Sequence, residues 1–198
     1  TKHPSDSSPS SDRFSRRSFF KGSSAVAAAS AVGAAAPGAN AQDDGPVVRG
    51  PQKISLHING SEKSVEVEPR TTLLDVLRYD LNLTGARPVS GDGSSGASTV
   101  LLDGRPVMAS TTLALTAVDK KITTVEGLGG DSADPTVEAF VQHDAEQCGF
   151  CTPGFVVAVR AFLNKNPNAT EDEIRKGLNG NICRCGTYAN VLQAAVAV

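Results

Sequence analysis

Tryptophan is absent from this 198-residue chain, aromatic residues make up only 5% of it, and it has a single methionine. A core drawn from such a composition is aliphatic and modest in size. Charge of either sign is scarce in excess: 19 Lys and Arg stand against 21 Asp and Glu, a formal net of −2. That balance leaves no basic footprint for nucleic acid. A hydrophobic share of 39% with so little net charge also excludes a wholly disordered chain. Long apolar runs are missing too, since the Ala-rich stretch 25–36 is too short and too weak to span a bilayer. Neither half of the chain repeats the other. Of the three histidines, His57 and His143 stand alone, and no catalytic acid–base pair is recognisable. Cysteine is lacking until residue 148, after which all four fall by residue 185.

What is present begins with Ser15-Arg16-Arg17-Ser18-Phe19-Phe20-Lys21, a twin-arginine sequence ahead of the Ala-rich stretch. Ala39-Asn40-Ala41 then offers a small-x-small cleavage site before Gln42. A charged start, a short apolar middle and an A-x-A end describe an export signal, and the arginine pair points to the Tat route. Residues 1–41 are therefore expected to be a Tat signal peptide, and the mature protein to be periplasmic with no membrane span. Removing them takes away five basic and two acidic side chains, which leaves 14 against 19 and a net charge of −5.

Residues 42–52 (QDDGPVVRGPQ) form a Gly/Pro/Asp-rich linker without a period. Ile54, Leu56 and Ile58 then alternate with Ser55 and His57, followed by Asn59-Gly60, a strong hairpin signal, and by Val65 and Val67 on the return strand. Thr71 or Thr72 is placed to cap a helix carrying Leu73, Leu74, Val76, Leu77 and Leu81. A second hairpin turns at Asp103-Gly104, and residues 121–126 (KITTVE) supply a further strand. Helices are expected over 135–146, from Pro153, from the capping box of Thr170 and Glu173, and over 188–198. The fold class is α+β: a sheet-rich domain over 53–129 and a helical domain over 130–198.

The cysteines all lie at helix ends in the second half, as Cys148-Gly149-Phe150-Cys151 and Cys183-Arg184-Cys185. Three readings compete on spacing alone. Disulfides are the ordinary expectation for an exported protein with an even cysteine count, although pairing within C-x-C is strained. Zinc favours C-x2-C knuckles, which the second pair does not supply. A [2Fe–2S] cluster accepts varied spacings of four thiolates.

The surrounding residues carry more. Gln147-Cys148-Gly149-Phe150-Cys151-Thr152-Pro153-Gly154 and Gly180-Asn181-Ile182-Cys183-Arg184-Cys185-Gly186-Thr187-Tyr188 closely resemble the cluster motifs of the small iron–sulfur subunit of the xanthine oxidase, or molybdenum hydroxylase, family. The resemblance spans residues 53–198 and extends to exported members such as periplasmic aldehyde oxidoreductases and isoquinoline-type oxidoreductases. It implies a four-helix domain whose Cys148, Cys151, Cys183 and Cys185 ligate one [2Fe–2S] cluster. Gln147 and Cys185 would lie against the pterin edge of a molybdopterin cofactor held by a large partner subunit. Electrons would leave for a flavin or cytochrome subunit. A non-redox adaptor or zinc-binding module docked to a large partner is the alternative.

The same resemblance gives the first domain a plant-ferredoxin-like β-grasp fold with a second cluster. Its loop pattern is C-x2-G-x-C-G-x-C-T-V, with a fourth Cys after a D-G hairpin. Gly93, Gly96, Thr99, Val100, Asp103 and Gly104 keep that pattern, but the four ligand places hold Ser90, Ser95, Ser98 and Ser110. A thiol with a pKa of about 8.5 becomes thiolate readily beside a metal. A hydroxyl does not, and it is a hard donor where soft thiolate is wanted. The chain is therefore expected to hold one cluster rather than two, and the empty loop to be mobile.

Overall fold

The computed structural model describes residues 47–198. The expected signal peptide and residues 42–46 of the linker lie outside the described residues. Val47–Val198 forms one compact unit.

Alternating side chains make β1 (Gln52–Ile58) and β2 (Ser61–Val67), which pair antiparallel with Ile54 opposite Val65. Asn59 and Gly60 turn the hairpin with φ of 50° and 78°, as an Asn-Gly turn requires. Asp103 and Gly104 do the same between β3 (Thr99–Leu102) and β4 (Arg105–Met108). The last strand, β5 (Lys121–Thr123), runs parallel to β1 and antiparallel to β3, giving the order β2-β1-β5-β3-β4.

Three expected elements end differently. The strand predicted over 121–126 stops at Thr123 because Thr124 is held by Asn59: its N–H donates to Oδ1 and its hydroxyl accepts from Nδ2, each at 2.9 Å. The chain then makes a 3-10 turn, Val125–Gly127. Thr72 caps α1 (Leu73–Asp75) as expected, but the helix widens into a π-helical stretch, Val76–Asp80, where Leu81 N donates to Val76 O. The helix predicted over 135–146 is α2 (Pro135–Gln142), ended where Asp144 takes the left-handed conformation.

The remaining helices are α3 (Thr152–Lys165), α4 (Glu171–Gly177), whose capping box is complete, and α5 (Tyr188–Val196). Leu56, Ile58, Leu73, Val76, Leu77, Val100 and Ile122 centre a cluster between sheet and α1. Phe140, Phe155, Val159, Ile174, Val191 and Ala194 centre a second among the helices. All four residues of β3 are buried. Successive strand residues face opposite ways, so Val100 and Leu102 join the first cluster while Leu101 packs with Val157 and Ala161 of α3. This contact seats α3 across the sheet.

Candidate metal centre

Two inter-helix loops carry the thiols. The first leaves α2 through a Schellman end: Asp144 N donates to Val141 O at 3.3 Å, and Ala145 N to Phe140 O at 2.9 Å. Asp144 takes the left-handed conformation at φ 48°. Ala145 and Phe140 are buried in the same cluster, which turns the chain off the helix axis and delivers Gln147–Cys151 to the start of α3. The second loop, residues 178–187, joins α4 to α5.

Cys148 and Cys185 are exposed, Cys151 is half-buried and Cys183 is buried; all four are free thiols. Across the two loops, Cys148 and Cys185 perturb one another's ionisation, as do Cys151 and Cys183. Among the described residues no three His, Cys, Asp or Glu side chains are gathered around a single ion position. Each pair holds one thiol that ionises readily and one that resists. The Phe150 N–H, then the Cys185 thiol, hold Cys148 below the ordinary thiol value, and the same contact pushes Cys185 up. Burial, then the Cys183 partner, pushes Cys151 up to about 12. Burial also opposes ionisation of Cys183, but the Thr187 hydroxyl and N–H and the Cys151 thiol outweigh it and bring it down to about 7.

The Cys183 segment is fixed from α5. Its N–H donates to Tyr188 Oη at 2.7 Å, and its Sγ lies 3.3 Å from Thr187 Oγ1. Tyr188 in turn packs edge-on against buried Phe155, with ring centroids 6.1 Å apart. In the first loop the Arg87 guanidinium lies 5.2 Å from the centre of the Phe150 ring. Gln147 is exposed beside Cys148. Sequence reasoning singled out the four thiols and Gln147; it missed Thr187, Tyr188 and Asn181, although all three sit inside the second quoted motif.

The serine loop is also paired. Ser90 Oγ donates to Ser95 Oγ at 2.9 Å, and Ser98 and Ser110 share a hydrogen bond of 3.0 Å while both are buried. The backbone of this loop, which was expected to be mobile, is hydrogen-bonded to the cysteine loop. Ile182 N donates to Ser95 O at 3.0 Å, and Asn181 Nδ2 donates to Gly96 O at 3.0 Å. Gly96 O also accepts from Thr99 Oγ1 at 2.6 Å. The approach is close enough to exclude side chains. A Cβ on Gly154 would lie 2.4 Å from Gly96 O, and one on Gly96 would lie 2.5 Å from Gly180 O.

A [2Fe-2S] binding domain model matches residues 124–196, which contain all four cysteines. The chain is 40% identical over 198 residues to the aldehyde oxidoreductase iron-sulfur-binding subunit PaoA of Escherichia coli O157:H7, covering 90% of this chain and 85% of that one. It is likewise 40% identical to the nicotine 6-hydroxylase small subunit of Paenarthrobacter nicotinovorans, over 73% of this chain and 87% of that one. The chain belongs to the iron–sulfur subunits of the xanthine oxidase family. These are subunits of oxidoreductases whose active site lies on another chain. Among solved structures, quinoline 2-oxidoreductase from Pseudomonas putida 86 matches with a TM-score of 0.70 and 40% identity, covering 74% of this chain and 94% of that one.

The side chains present fit the group that this family implies. A [2Fe–2S] cluster needs four thiolates, two for each iron. Two facing thiol pairs, each with a readily ionised member, can supply them. No helix among the described residues is long and apolar enough to cross a membrane.

Proposed function

We propose that this chain is the electron-transfer subunit of an exported molybdenum-containing oxidoreductase that hydroxylates an aldehyde or an N-heterocycle. Cys148, Cys151, Cys183 and Cys185 hold one [2Fe–2S] cluster. The observation that carries this reading is the placement of four free thiols on two inter-helix loops, within the segment that matches a [2Fe-2S] binding domain. The names of the relatives, an aldehyde oxidoreductase subunit and a nicotine hydroxylase subunit, support both substrate classes. When bound, the cluster supplies reversible one-electron storage.

The chain's residues set the direction of transfer. Cys148 and Cys185 are exposed with Gln147 beside them, so this edge faces the molybdopterin of a large partner subunit. Cys151 and Cys183 lie deeper, and Asn181 and Ile182, just before Cys183, bond the serine loop. Residues 53–129 are read as a ferredoxin-like β-grasp domain and 130–198 as the helical cluster domain. Ser90, Ser95, Ser98 and Ser110 stand at the ligand places of a second cluster that oxygen donors do not assemble. Electrons then leave for a flavin or cytochrome partner across a wider gap. Residues 1–41 are read as a Tat signal, which carries the folded subunit to the periplasm.

Purified with its large partner, the complex should be red-brown and should lose visible absorbance when challenged with a panel of aldehydes and N-heterocycles. A colourless complex carrying zinc would contradict the reading and favour a non-redox adaptor.

A further inference from the structure

Thr187 stands at the N-cap of α5, where a threonine hydroxyl ordinarily accepts from a backbone N–H of the first turn. Three other caps in this chain do so: Thr72 accepts from Asp75 N, Asp134 from Thr136 N, and Thr170 from Glu173 N. Thr187 makes no such bond to its own helix. Its hydroxyl is turned toward Cys183 Sγ, 3.3 Å away. The geometry is built on packed structure, because the next residue, Tyr188, accepts from Cys183 N–H and rests on buried Phe155.

Either atom can donate while Cys183 is a free thiol. As a thiolate ligand Cys183 has no proton to give, which leaves Thr187 as the donor. A hydrogen bond to a ligand sulfur withdraws negative charge from the iron and favours the reduced state. We propose that Thr187 raises the reduction potential of the cluster by donating its hydroxyl proton to Cys183 Sγ. The inference rests on the cluster reading above and assigns a tuning role to a residue that does not itself ligate iron.

The test is a redox titration of the subunit in complex with its partner, followed by electron paramagnetic resonance, with iron and sulfide measured on every sample. Thr187→Val keeps the side-chain shape and removes the hydroxyl; Thr187→Ser keeps the hydroxyl. The midpoint potential should shift negative in Thr187→Val and return close to wild type in Thr187→Ser. If Thr187→Val loads iron poorly, Thr187→Ala takes its place with the same outcomes. Equal potentials in wild type and the hydroxyl-free variant, at full iron loading, overturn the role of Thr187 and leave the cluster reading intact. A wild-type protein without iron overturns both.

Discussion

Replacing Gly154 by alanine separates the contact between the two loops from ordinary helix energetics, because the two push stability in opposite directions. Gly154 lies in the first turn of α3, and in an exposed helix alanine is better than glycine by about 1 kcal/mol. Here the added Cβ would lie 2.4 Å from Gly96 O and 3.0 Å from Ala97 Cα, both backbone atoms that cannot rotate away. Relieving that overlap moves the serine loop off α3, and overpacking of this kind costs about 1–3 kcal/mol. The same movement stretches the buried Asn181–Gly96 hydrogen bond, worth about 1 kcal/mol. The net expectation is destabilisation of about 2 kcal/mol. With a urea m-value of about 2 kcal/mol/M, the midpoint should fall by about 1 M. Unfolding followed by far-ultraviolet circular dichroism, with cysteines kept reduced, measures the shift. A midpoint that is unchanged or raised would refute the claim that the loops are in rigid backbone contact.

Asp134 caps α2 through Thr136 N at 2.8 Å and pairs with Arg160 of α3, with the two side chains 11% and 18% exposed. Asp134→Asn should cost about 3 kcal/mol at neutral pH, since it strands a largely buried arginine. Burial alone would raise the Asp134 pKa, but Arg160 and Thr136 outweigh it and hold it below the usual carboxylate range. Its stabilisation is therefore complete above the unfolded-state value and is lost as pH falls through the depressed folded value. Acid-unfolding curves of wild type and Asp134→Asn should converge at low pH; parallel curves would contradict this. Ser98→Ala leaves the buried Ser110 hydroxyl without its partner and should cost about 1–2 kcal/mol. Ser98→Ala combined with Ser110→Ala should cost less than the sum of the two single changes in a double-mutant cycle. Cysteine at positions 90, 95, 98 and 110 together should raise iron from two to four per chain, because the serine pairs already face one another as ligand pairs would. An iron count that stays at two would show that the loop differs from a cluster site in more than its ligands.

Much of this was legible locally. Asn59-Gly60 and Asp103-Gly104 announce their hairpins because only residues tolerant of positive φ serve there, and Thr170 with Glu173 announces a helix start through reciprocal bonds within four residues. The early end of β5 was not legible, since Thr124 is captured by Asn59, 65 residues away. Neither was the Schellman end of α2, where aspartate takes the place that glycine usually marks. In the site, the identity and spacing of the cysteines were readable, but their pairing across two loops depends on how α2, α3 and α5 pack. The serine loop was expected to be mobile because no metal would organise its glycines. The contacts it makes come from partners far along the chain: Asn181, Ile182 and Gly154. The role of Thr187 was not legible either, since it depends on where its hydroxyl lies relative to Cys183 Sγ.

Four cysteines should hold one two-iron cluster while four serines hold none. Iron and acid-labile sulfide analysis of the purified subunit tests it most directly. Two irons and two sulfides per chain are expected, lost on Cys183→Ala and unchanged on Ser98→Ala. Four irons in the wild-type chain, or two that survive Cys183→Ala, would contradict it.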